Sequence, residues 1–395
     1  MRKSIVELLC GHAACDPDRL AVIAVDGEAS YGELWSLVRG CASRLHSMGL
    51  NRGDVVALRA SQPLAYVATY LGVHLAGGTV AAVERSAPAD RFGARMAITG
   101  DAGVLPAGMC VLDGEQFMWE ARAQVPEELP FPGEEDQADV MFTTGTTGAS
   151  KGVEITHGAH AAMSENLILG CGYRPDTRIL VPGPLNHANP IRKLLASIAN
   201  GSAIHILDGM MNLRAFFEAL RDPRGSVACC LPPSAVRLLL TLSGDALGEF
   251  ADRIDFIETC TAPLAEADRQ RLSALLPHSR LYVNYGSSEA GSVCAYDYNA
   301  HPGKPGCISR PLKNVRIVAI DGVEDCICIA TPHRITGQAL RLLLVMSGDV
   351  DFSPRAFSAQ MRERLEAYKV PEKYERVEQI ARTYNGRLDR KFYRN

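Results

Sequence analysis

The chain lacks the compositional extremes that define several classes of protein. Its 395 residues carry 41 basic and 45 acidic side chains, and the net charge of −4 gives no reason to expect nucleic acid or an anionic membrane as a partner. No run approaches the ~18 uninterrupted apolar residues of a membrane-spanning helix, and the first residues lead into no signal-like stretch. No internal repeat or low-complexity tract is present. We therefore expect a globular, cytoplasmic protein.

Cysteine occurs twelve times, but never with the C-x-x-C spacing of metal and redox sites. Cys229 and Cys230 are adjacent, and Cys326 and Cys328 flank one residue of an apolar run. On a strand the latter spacing places both thiols on one face, where they act as small apolar groups. For a chain of this size without a signal peptide, reduced and mostly buried thiols are expected rather than disulfides or a metal centre.

Length and apolar periodicity indicate a large α/β protein. A chain of 395 residues exceeds one ordinary domain. Helical spacing follows Tyr31 and Tyr66, and short buried strands are expected over residues 54–58 and 79–83. The alternation continues as far as Val283, which indicates a fold of αβ-layered sheets with parallel pairing. From about residue 315 the pattern changes to short β segments, so a β-rich subdomain is expected there.

The last forty residues differ from the preceding ones. One helix pattern, Pro371 and a basic end with scattered aromatic residues follow Ser353. We predict a large N-terminal domain over residues 1–335 and a small, truncated α+β lobe over residues 336–395. The positive balance of this lobe is as typical of a solvated face as of a phosphate-facing one.

Residues 143–152 are the most informative segment, with the sequence Thr-Thr-Gly-Thr-Thr-Gly-Ala-Ser-Lys-Gly after an apolar run. Glycine lets backbone N–H groups turn towards a ligand, hydroxyl groups bind phosphate oxygens, and an ammonium neutralises them. The segment predicts a polyphosphate-binding loop, with a flexible linker as the alternative. An ordinary P-loop NTPase is excluded because its signature places Ser or Thr after Gly-Lys, whereas Ser150 precedes Lys151 and Gly152 follows it.

Three ordered segments together resemble the adenylate-forming superfamily of acyl-CoA synthetases, luciferases and non-ribosomal peptide adenylation domains. Residues 143–152 are similar to its Thr/Ser/Gly-rich signature ending in Lys-Gly. Residues 284–289 are similar to its aromatic-Gly-x-Thr-Glu segment, and residues 260–264 lie where the family has a Gly-rich turn ending in Ala-Pro-Leu. The Tyr-Gly-Glu-Leu segment at residue 31 and the Pro-Leu-Asn-His segment at residue 184 also match. The resemblance extends over residues 1–335.

The resemblance implies an ATP-dependent acid–thiol ligase. Such enzymes activate a carboxylic acid to an acyl-adenylate, release pyrophosphate, and pass the acyl group to a thiol of coenzyme A or an acyl carrier protein. The attacking carboxylate is ionised at neutral pH, so no general base is needed, in agreement with a chain that shows no nucleophilic triad. A non-catalytic nucleotide or acyl-adenylate binding protein that retains the fold is the alternative.

The resemblance also implies roles for particular residues. The implied catalytic residues are Lys151, Ser288, Glu289 and Arg387. Glu289 would bind Mg²⁺, Ser288 would contact the α-phosphate, and Tyr285 would stack on adenine. The implied nucleotide-binding residues are Thr143, Thr144, Gly145, Thr146, Thr147, Lys151, Thr261, Ala262, Pro263, Tyr285, Gly286 and Ser288. The alternatives are a carboxylate at a helix N-terminus for Glu289 and a core aromatic ring for Tyr285.

Three residues concern the acid rather than the nucleotide. By resemblance His187 would line the acyl pocket, with a structural histidine as the alternative. Arg192 and Lys193 open a helix, and we expect them on the surface, with pairing to a substrate carboxylate as the alternative. No acidic residue stands out as the partner of a substrate amine, so fatty or aryl acids are favoured over amino acids.

The chain departs from the family near its C-terminus. The segment that would carry the ribose-binding aspartate, the hinge and the thioester loop is missing between residues 332 and 337, which weakens the expectation of thiol transfer because the family rotates its small lobe between steps. We expect Asp349 to lie in a loop rather than to bind ribose. Arg387 stands where most members have lysine, and this exchange alters geometry as well as size. Lys391 is a candidate substitute.

Overall fold

The structure is a computed structural model that describes residues 2–59, 62–82, 93–100, 110–143, 151–301, 310–315, 322–333, 337–348, 353–363, 370–382 and 392–393. The helices are α1 (Ile5–Cys15), α2 (Tyr31–Ser47), α3 (Pro63–Leu75), α4 (Gly114–Ala123), α5 (His157–Cys171), α6 (Ala188–Asn200), α7 (Leu213–Arg221), α8 (Pro233–Ser243), α9 (Glu266–Leu275) and α10 (Pro354–Arg362), with a 3-10 helix at Ala246–Phe250.

The strands are β1 (Leu20–Ala24), β2 (Gly27–Ser30), β3 (Val55–Leu58), β4 (Thr79–Ala82), β5 (Ala94–Thr99), β6 (Cys110–Asp113), β7 (Gln137–Thr143), β8 (Lys151–Thr156), β9 (Thr177–Pro182), β10 (Ile204–Leu207), β11 (Ser226–Leu231), β12 (Ile254–Thr259), β13 (Arg280–Ser287), β14 (Gly291–Asp297), β15 (Arg310–Pro311), β16 (Val323–His333), β17 (Gly337–Met346) and β18 (Lys373–Arg376).

The chain divides into two compact units. The first contains residues 1–143 and 151–315, and the second begins at Arg316 and extends to the end of the chain. Both are mixtures of helix and strand, as predicted. The predicted domain boundary at residue 335 falls in the connection between the paired strands β16 and β17 and stays a prediction.

Two sheets form the framework of the first unit. One has the order β6-β5-β3-β4-β7-β8, in which β7 and β8 are antiparallel and the other neighbours are parallel. The other has the order β15-β14-β13-β12-β11-β9-β10-β1-β2, and its six strands from β13 to β1 are parallel. The predicted fold class, αβ layers with parallel pairing, is confirmed.

Local sequence signals explain where the helices begin. Helix α2 has a capping box, in which the Ser30 side chain accepts from the Glu33 N–H and the Glu33 carboxylate accepts from the Ser30 N–H. Helix α3 begins at Pro63, three residues before the predicted start, because proline suits the first helical turn. Helix α5 follows β8 directly, and its N-cap, Thr156, accepts from the Ala159 N–H at 3.1 Å.

Apolar packing joins the helices to both sheets of the first unit. One core cluster includes the largely apolar faces of α1, α2, α3, α5 and α6 together with β1, β3 and β9, and a second fills the space around α7, α8, β11 and β12. Parallel strands are covered on both faces in this way, which keeps their carboxyl ends as the accessible edge.

The second unit contains a small sheet of the order β16-β17-β18. Strands β16 and β17 are antiparallel, and β17 pairs with β18 in parallel. Helix α10 begins at Pro354, where the Ser353 side chain accepts from the Ala356 N–H. Phe357 of α10 packs against the buried side of Leu342 and Leu344. The predicted small α+β lobe is therefore confirmed.

The ten cysteines whose side chains the structure describes are free thiols. No helix among the described residues is both long and apolar enough to cross a membrane.

Candidate functional site

A cavity of about 500 Å³ lies at the carboxyl edge of the nine-stranded sheet. Strands β9, β11 and β12 run parallel and side by side, so the residues that follow them meet at one edge. Ligands of open α/β sheets bind at this edge. The cavity is lined by Val181, Pro182, Gly183, Pro184, His187, Asn189, Pro190, Gly209, Met210, Cys230, Pro232, Ser234, Ala235, Leu238 and Thr261.

No Asp, Glu, Lys or Arg side chain lines this cavity among the residues described. Most of the lining is aliphatic, and the polar groups are those of His187, Asn189, Ser234 and Thr261, with the thiol of Cys230. Burial raises the pKa of that thiol, so the thiol is neutral at pH 7. His187, which sequence resemblance places in an acyl pocket, lies on the cavity wall as the N-cap residue of α6.

Thr261 marks the turn after β12. Its φ is 77°, and among non-glycine residues of the described chain no other has a positive φ. This left-handed conformation is unfavourable for a β-branched residue and persists where the surroundings enforce it. Ala262 and Pro263 continue the turn on the surface. Thr261 thus lies on the cavity wall. The predicted role of the turn as the border of the adenine site stays a prediction.

The hairpin between β13 and β14 carries the second group of predicted residues. Tyr285 leaves 53% of its surface exposed, which rules out a core aromatic ring. A side chain at Gly286 would place its Cβ 2.1 Å from the carbonyl oxygen of Gly291, so only glycine allows this close approach. Ser288 and Glu289 occupy the turn of the hairpin, so Glu289 is not at a helix N-terminus.

Arg192 is buried, contrary to the predicted surface location, with 8% of its surface exposed. Its Nη1 and Nη2 donate to the carbonyl oxygens of Ser287 and Ser288 at 2.8 and 2.6 Å. Burial lowers the pKa of Arg192 from its ordinary value, against the opposing effects of Cys260, Glu289 and Asp139. The expectation of exposure was wrong because the partners are backbone groups 95 and 96 residues away in sequence.

Lys193 is also buried, and the expectation of exposure is wrong for it too. Its ammonium forms an ion pair with Glu258, the penultimate residue of β12. Asn284 donates to the same carboxylate at 2.8 Å, and the Cys230 thiol lies 3.6 Å from its other oxygen. Burial disfavours the charge of Lys193, but Glu258 outweighs burial and raises its pKa. Neither Lys193 nor Arg192 is therefore free to pair with a substrate carboxylate.

The predicted phosphate loop connects the antiparallel strands β7 and β8, in which Thr143 is paired with Lys151. Thr144, Gly145, Thr146 and Thr147 lie outside the described residues, and so do Asp349, Arg387 and Lys391. For Thr143 and Lys151 the strand position of the backbone is described. Their predicted roles stay predictions.

A buried polar cluster lies on β7 four residues before the loop. The Asp139 carboxylate accepts from the Tyr70 hydroxyl at 2.6 Å, from His160 at 2.6 Å and from His74 at 3.0 Å. Burial opposes ionisation of Asp139, but the two histidines outweigh burial and hold the pKa of Asp139 well below its ordinary value. Because Tyr70 and His74 belong to α3 and His160 to α5, this cluster connects the loop-bearing hairpin to two helices.

Sequence reasoning missed Glu258, Asn284 and Asp139. A weak signal exists for two of them, since Glu258 follows the apolar pair Phe256-Ile257 and Asp139 precedes the apolar run Val140-Met141-Phe142. Such a residue needs a partner when buried, but the sequence does not identify that partner. No group of three or more His, Cys, Asp or Glu side chains in the described ranges is arranged to hold a metal ion.

A parallel sheet with a cavity at its carboxyl edge is typical of α/β enzymes that bind small molecules, and the comparisons with known proteins identify the family. The profile of the AMP-binding enzyme family matches residues 11–332, and that of the AMP-binding enzyme C-terminal domain matches residues 316–387. The chain belongs to the AMP-binding enzyme family, as its resemblance to the adenylate-forming superfamily implied. The prediction that the chain is a member of the adenylate-forming superfamily is confirmed.

Individual relatives include nonribosomal peptide synthetases, of which the chain spans only a small part. The chain is 28% identical over 322 residues to the nonribosomal peptide synthetase CymA of Salinispora arenicola, a match that covers 80% of this chain and 4% of that much longer protein. Among solved structures, ATP-bound MatB from Rhodopseudomonas palustris aligns with a TM-score of 0.67 at 18% identity, covering 98% of each chain. Klebsiella oxytoca NpsA in complex with 3-hydroxyanthranilyl-AMSN aligns with a TM-score of 0.69 at 16% identity, covering 100% of this chain and 99% of that one. These structural likenesses identify the fold.

Proposed function

We propose that this protein uses ATP to activate a carboxylic acid with a neutral, mainly apolar tail, forming an acyl-adenylate and releasing pyrophosphate. The observation that carries the proposal is the mainly apolar cavity beside the Thr261 turn, whose described lining contains no Asp, Glu, Lys or Arg side chain. It lies at the edge of the sheet where the Tyr285–Glu289 hairpin also begins. An acid tail in the cavity extends its carboxylate towards the nucleotide site. Transfer of the acyl group to a thiol of coenzyme A or of a carrier protein completes the proposed reaction.

The chemistry requires positioning rather than proton transfer. One carboxylate oxygen attacks the α-phosphorus, the bond from that phosphorus to the bridging oxygen breaks, and the electron pair leaves with pyrophosphate. The carboxylate is ionised at neutral pH and needs no base. Rate enhancement therefore comes from alignment of the two reactants and from positive charge near the phosphates. The proposed sources of that charge are Lys151, Arg387 and Mg²⁺.

Particular residues are proposed to hold the nucleotide. The Tyr285 ring is exposed at the end of β13 and offers a face on which adenine stacks. The backbone of residues 261–263 borders the base, and Gly286 allows close approach. The Ser288 hydroxyl contacts the α-phosphate. Residues 143–151 grip the outer phosphates, and Arg387 takes the place of the family's lysine between carboxylate and α-phosphate.

Glu289 is the proposed protein ligand of Mg²⁺. Its carboxylate is exposed in the hairpin turn and makes no hydrogen bond or ion pair within the described ranges. A hard carboxylate oxygen together with phosphate oxygens suits Mg²⁺, which is usually held by one or two carboxylates and the substrate. The bound ion would neutralise charge on the phosphates.

The cavity narrows the class of acid. A buried ammonium or second carboxylate without a partner costs several kcal/mol, on the order of the penalty for burying an unpaired ion. Because no Asp, Glu, Lys or Arg side chain lines the cavity in the described chain, amino acids and dicarboxylic acids are disfavoured. Fatty or aryl acids of moderate size fit, since ligand cavities of ~300–1,000 Å³ enclose molecules of this kind.

ATP–pyrophosphate exchange with a panel of acids tests the proposal. Fatty and aryl acids should support exchange, while amino acids and dicarboxylic acids of equal size should not. Exchange with no acid, alongside measurable ATP binding, would favour the rival function of a non-catalytic nucleotide-binding protein. Replacing Lys151 with Ala should weaken exchange, and an unchanged rate would contradict the assignment of the phosphate loop.

The thiol acceptor needs a separate measurement. With the acid identified by exchange, mass spectrometry distinguishes release of the acyl-adenylate from formation of an acyl-coenzyme A or an acylated carrier protein. Formation of neither thioester would restrict the proposal to the first half-reaction. A cytoplasmic location stays a prediction.

A further inference from the structure

Arg192 connects the acid cavity to the hairpin that carries Ser288 and Glu289. It belongs to α6, whose first residues line the cavity, and its guanidinium extends away from the cavity lining to the carbonyl oxygens of Ser287 and Ser288. Two adjacent backbone carbonyls are thus held by one rigid, planar group. A lysine in this position could not hold both with fixed directions.

This contact restrains a turn that has few other anchors. Within the turn, the Ser287 hydroxyl accepts from the Ala290 N–H at 3.1 Å, and Ser287 pairs with Gly291 at the end of the β13–β14 ladder. Both contacts are internal to the hairpin. Arg192 fixes the hairpin turn to α6 at the peptide groups directly before Glu289. On the other side of the turn, Asn166 of α5 donates to the Ser292 carbonyl oxygen at 3.4 Å.

The burial of Arg192 is not explained by packing alone. The Nε atom is buried and has no hydrogen-bond partner in the described chain, and no carboxylate there forms an ion pair with the guanidinium. A buried cation without an ion-pair partner is costly, and a methionine would fill similar space without that cost. The guanidinium is held where its two carbonyl partners require it.

We propose that Arg192 is a positioning residue for adenylation, which fixes the Ser287–Ser288 backbone so that the Ser288 hydroxyl and the Glu289 carboxylate face the α-phosphate and its Mg²⁺. The inference rests on the proposed function in that it takes MgATP as the ligand of this hairpin. It predicts that loss of Arg192 lowers the gain in ATP affinity that Mg²⁺ provides and also lowers the rate of turnover.

Variants Arg192→Gln and Arg192→Lys test the inference, with Arg178→Gln as the matched control. Arg178 is equally buried and donates to backbone carbonyls of Ala219 and Asp222, but it lies at the start of β9, away from the cavity-lining end. Removing either arginine should lower stability. Only removal of Arg192 should affect the hairpin turn.

Calorimetric titration with ATP, in Mg²⁺ and in EDTA, measures how much Mg²⁺ tightens ATP binding. A general loss of stability does not change this difference. We expect Mg²⁺ to tighten ATP binding by the wild-type protein, and Arg192→Gln to reduce that gain about tenfold or more, the size of a lost charged hydrogen bond. Arg178→Gln should retain the full gain. An equal gain in Arg192→Gln and wild type would overturn the inference.

Hydrogen exchange and turnover provide two further readouts. The amides of residues 286–290 should exchange faster in Arg192→Gln than in Arg178→Gln, and equal rates would contradict the inference. Arg192→Lys should lower the kcat of pyrophosphate exchange with little change in the KM for the acid. Wild-type protein that binds MgATP but supports no exchange would refute the proposed function and leave the calorimetric test of Arg192 valid.

Discussion

Lys193 of α6 and Glu258 of β12 form an ion pair from which solvent is excluded, since both side chains are almost completely buried. The pair joins the helix that begins at the cavity wall to the strand that ends at the Thr261 turn. Asn284 connects the same carboxylate to β13. One ion pair thus fixes the relative positions of three elements that reach the site.

We expect Lys193→Met to lower the free energy of unfolding by about 3–5 kcal/mol, because Glu258 remains buried without its counter-ion. The double variant Lys193→Met with Glu258→Leu should recover most of this loss, since an apolar pair avoids an unpaired charge. Urea unfolding of both single variants and the double variant measures the coupling. Losses that simply add would show that the two side chains do not depend on each other.

A larger side chain in the cavity should lower activity more for large acids than for small ones. Ala235 of α8 is buried on the cavity wall, and Ala235→Phe should lower pyrophosphate exchange about tenfold with the largest accepted acid, the effect expected of overpacking. The smallest accepted acid should be affected least. Leu242→Phe, on the exposed face of the same helix, is the control and should leave the acid profile unchanged. A uniform loss across all acids would contradict the assignment of the cavity.

Relief of strain at the turn after β12 should stabilise the protein. Glycine adopts a φ of 77° without the strain that a β-branched residue has there. Thr261→Gly should therefore raise the free energy of unfolding by about 1 kcal/mol. Thr241→Gly in helix α8 serves as a control of opposite sign, since glycine in a helix costs about 1 kcal/mol. Thermal unfolding of both variants measures the difference, and a destabilised Thr261→Gly variant would contradict the strain.

Stability should fall with acidification below about pH 6.5 because of His157. Burial, reinforced by the neighbouring His74 and His160, lowers the pKa of His157 to about 2, against the opposing effect of Asp139. The unfolded chain has a histidine pKa of about 6.5, so below that pH the unfolded state binds one more proton and stability decreases by about 1.4 kcal/mol per pH unit.

His157→Gln should therefore lose about 1.4 kcal/mol less than the wild-type protein between pH 7.5 and pH 5.5. The free energy of unfolding in urea at the two pH values gives this difference. The control is His278→Gln, which removes a histidine from the exposed surface. Parallel pH profiles for the wild-type protein and His157→Gln would show that this histidine is not held neutral.

The resemblance to the family pointed to Tyr285–Glu289 and to the turn at Thr261 because each segment is contiguous in sequence. Their roles in nucleotide binding stay predictions. The burial of Arg192 and Lys193 could not be predicted, because it depends on Ser287, Ser288 and Glu258, which are remote in sequence. Charged residues are expected at the surface when the sequence does not identify a buried partner that would compensate their charge.

The same limit applies beneath the phosphate loop. Strand β7 was predicted from its apolar residues, but Asp139 is compensated by Tyr70, His74 and His160 from two separate helices. Helix and strand order was predicted well, because the period of apolar residues is a local property. The side-chain network that holds the elements together is not.

Prolines 182, 184, 190 and 232 stand in the cavity wall. Proline has no backbone N–H, so these stretches of the wall present few donors to a bound acid. The cavity then distinguishes acids by their size and shape. A difference of one methylene between two acids changes the free energy that separates them by only about 1–3 kcal/mol. Graded selectivity is the consequence: a population of related acids would be used in proportion to their abundance, and the product spectrum would follow the supply of acids in the cell.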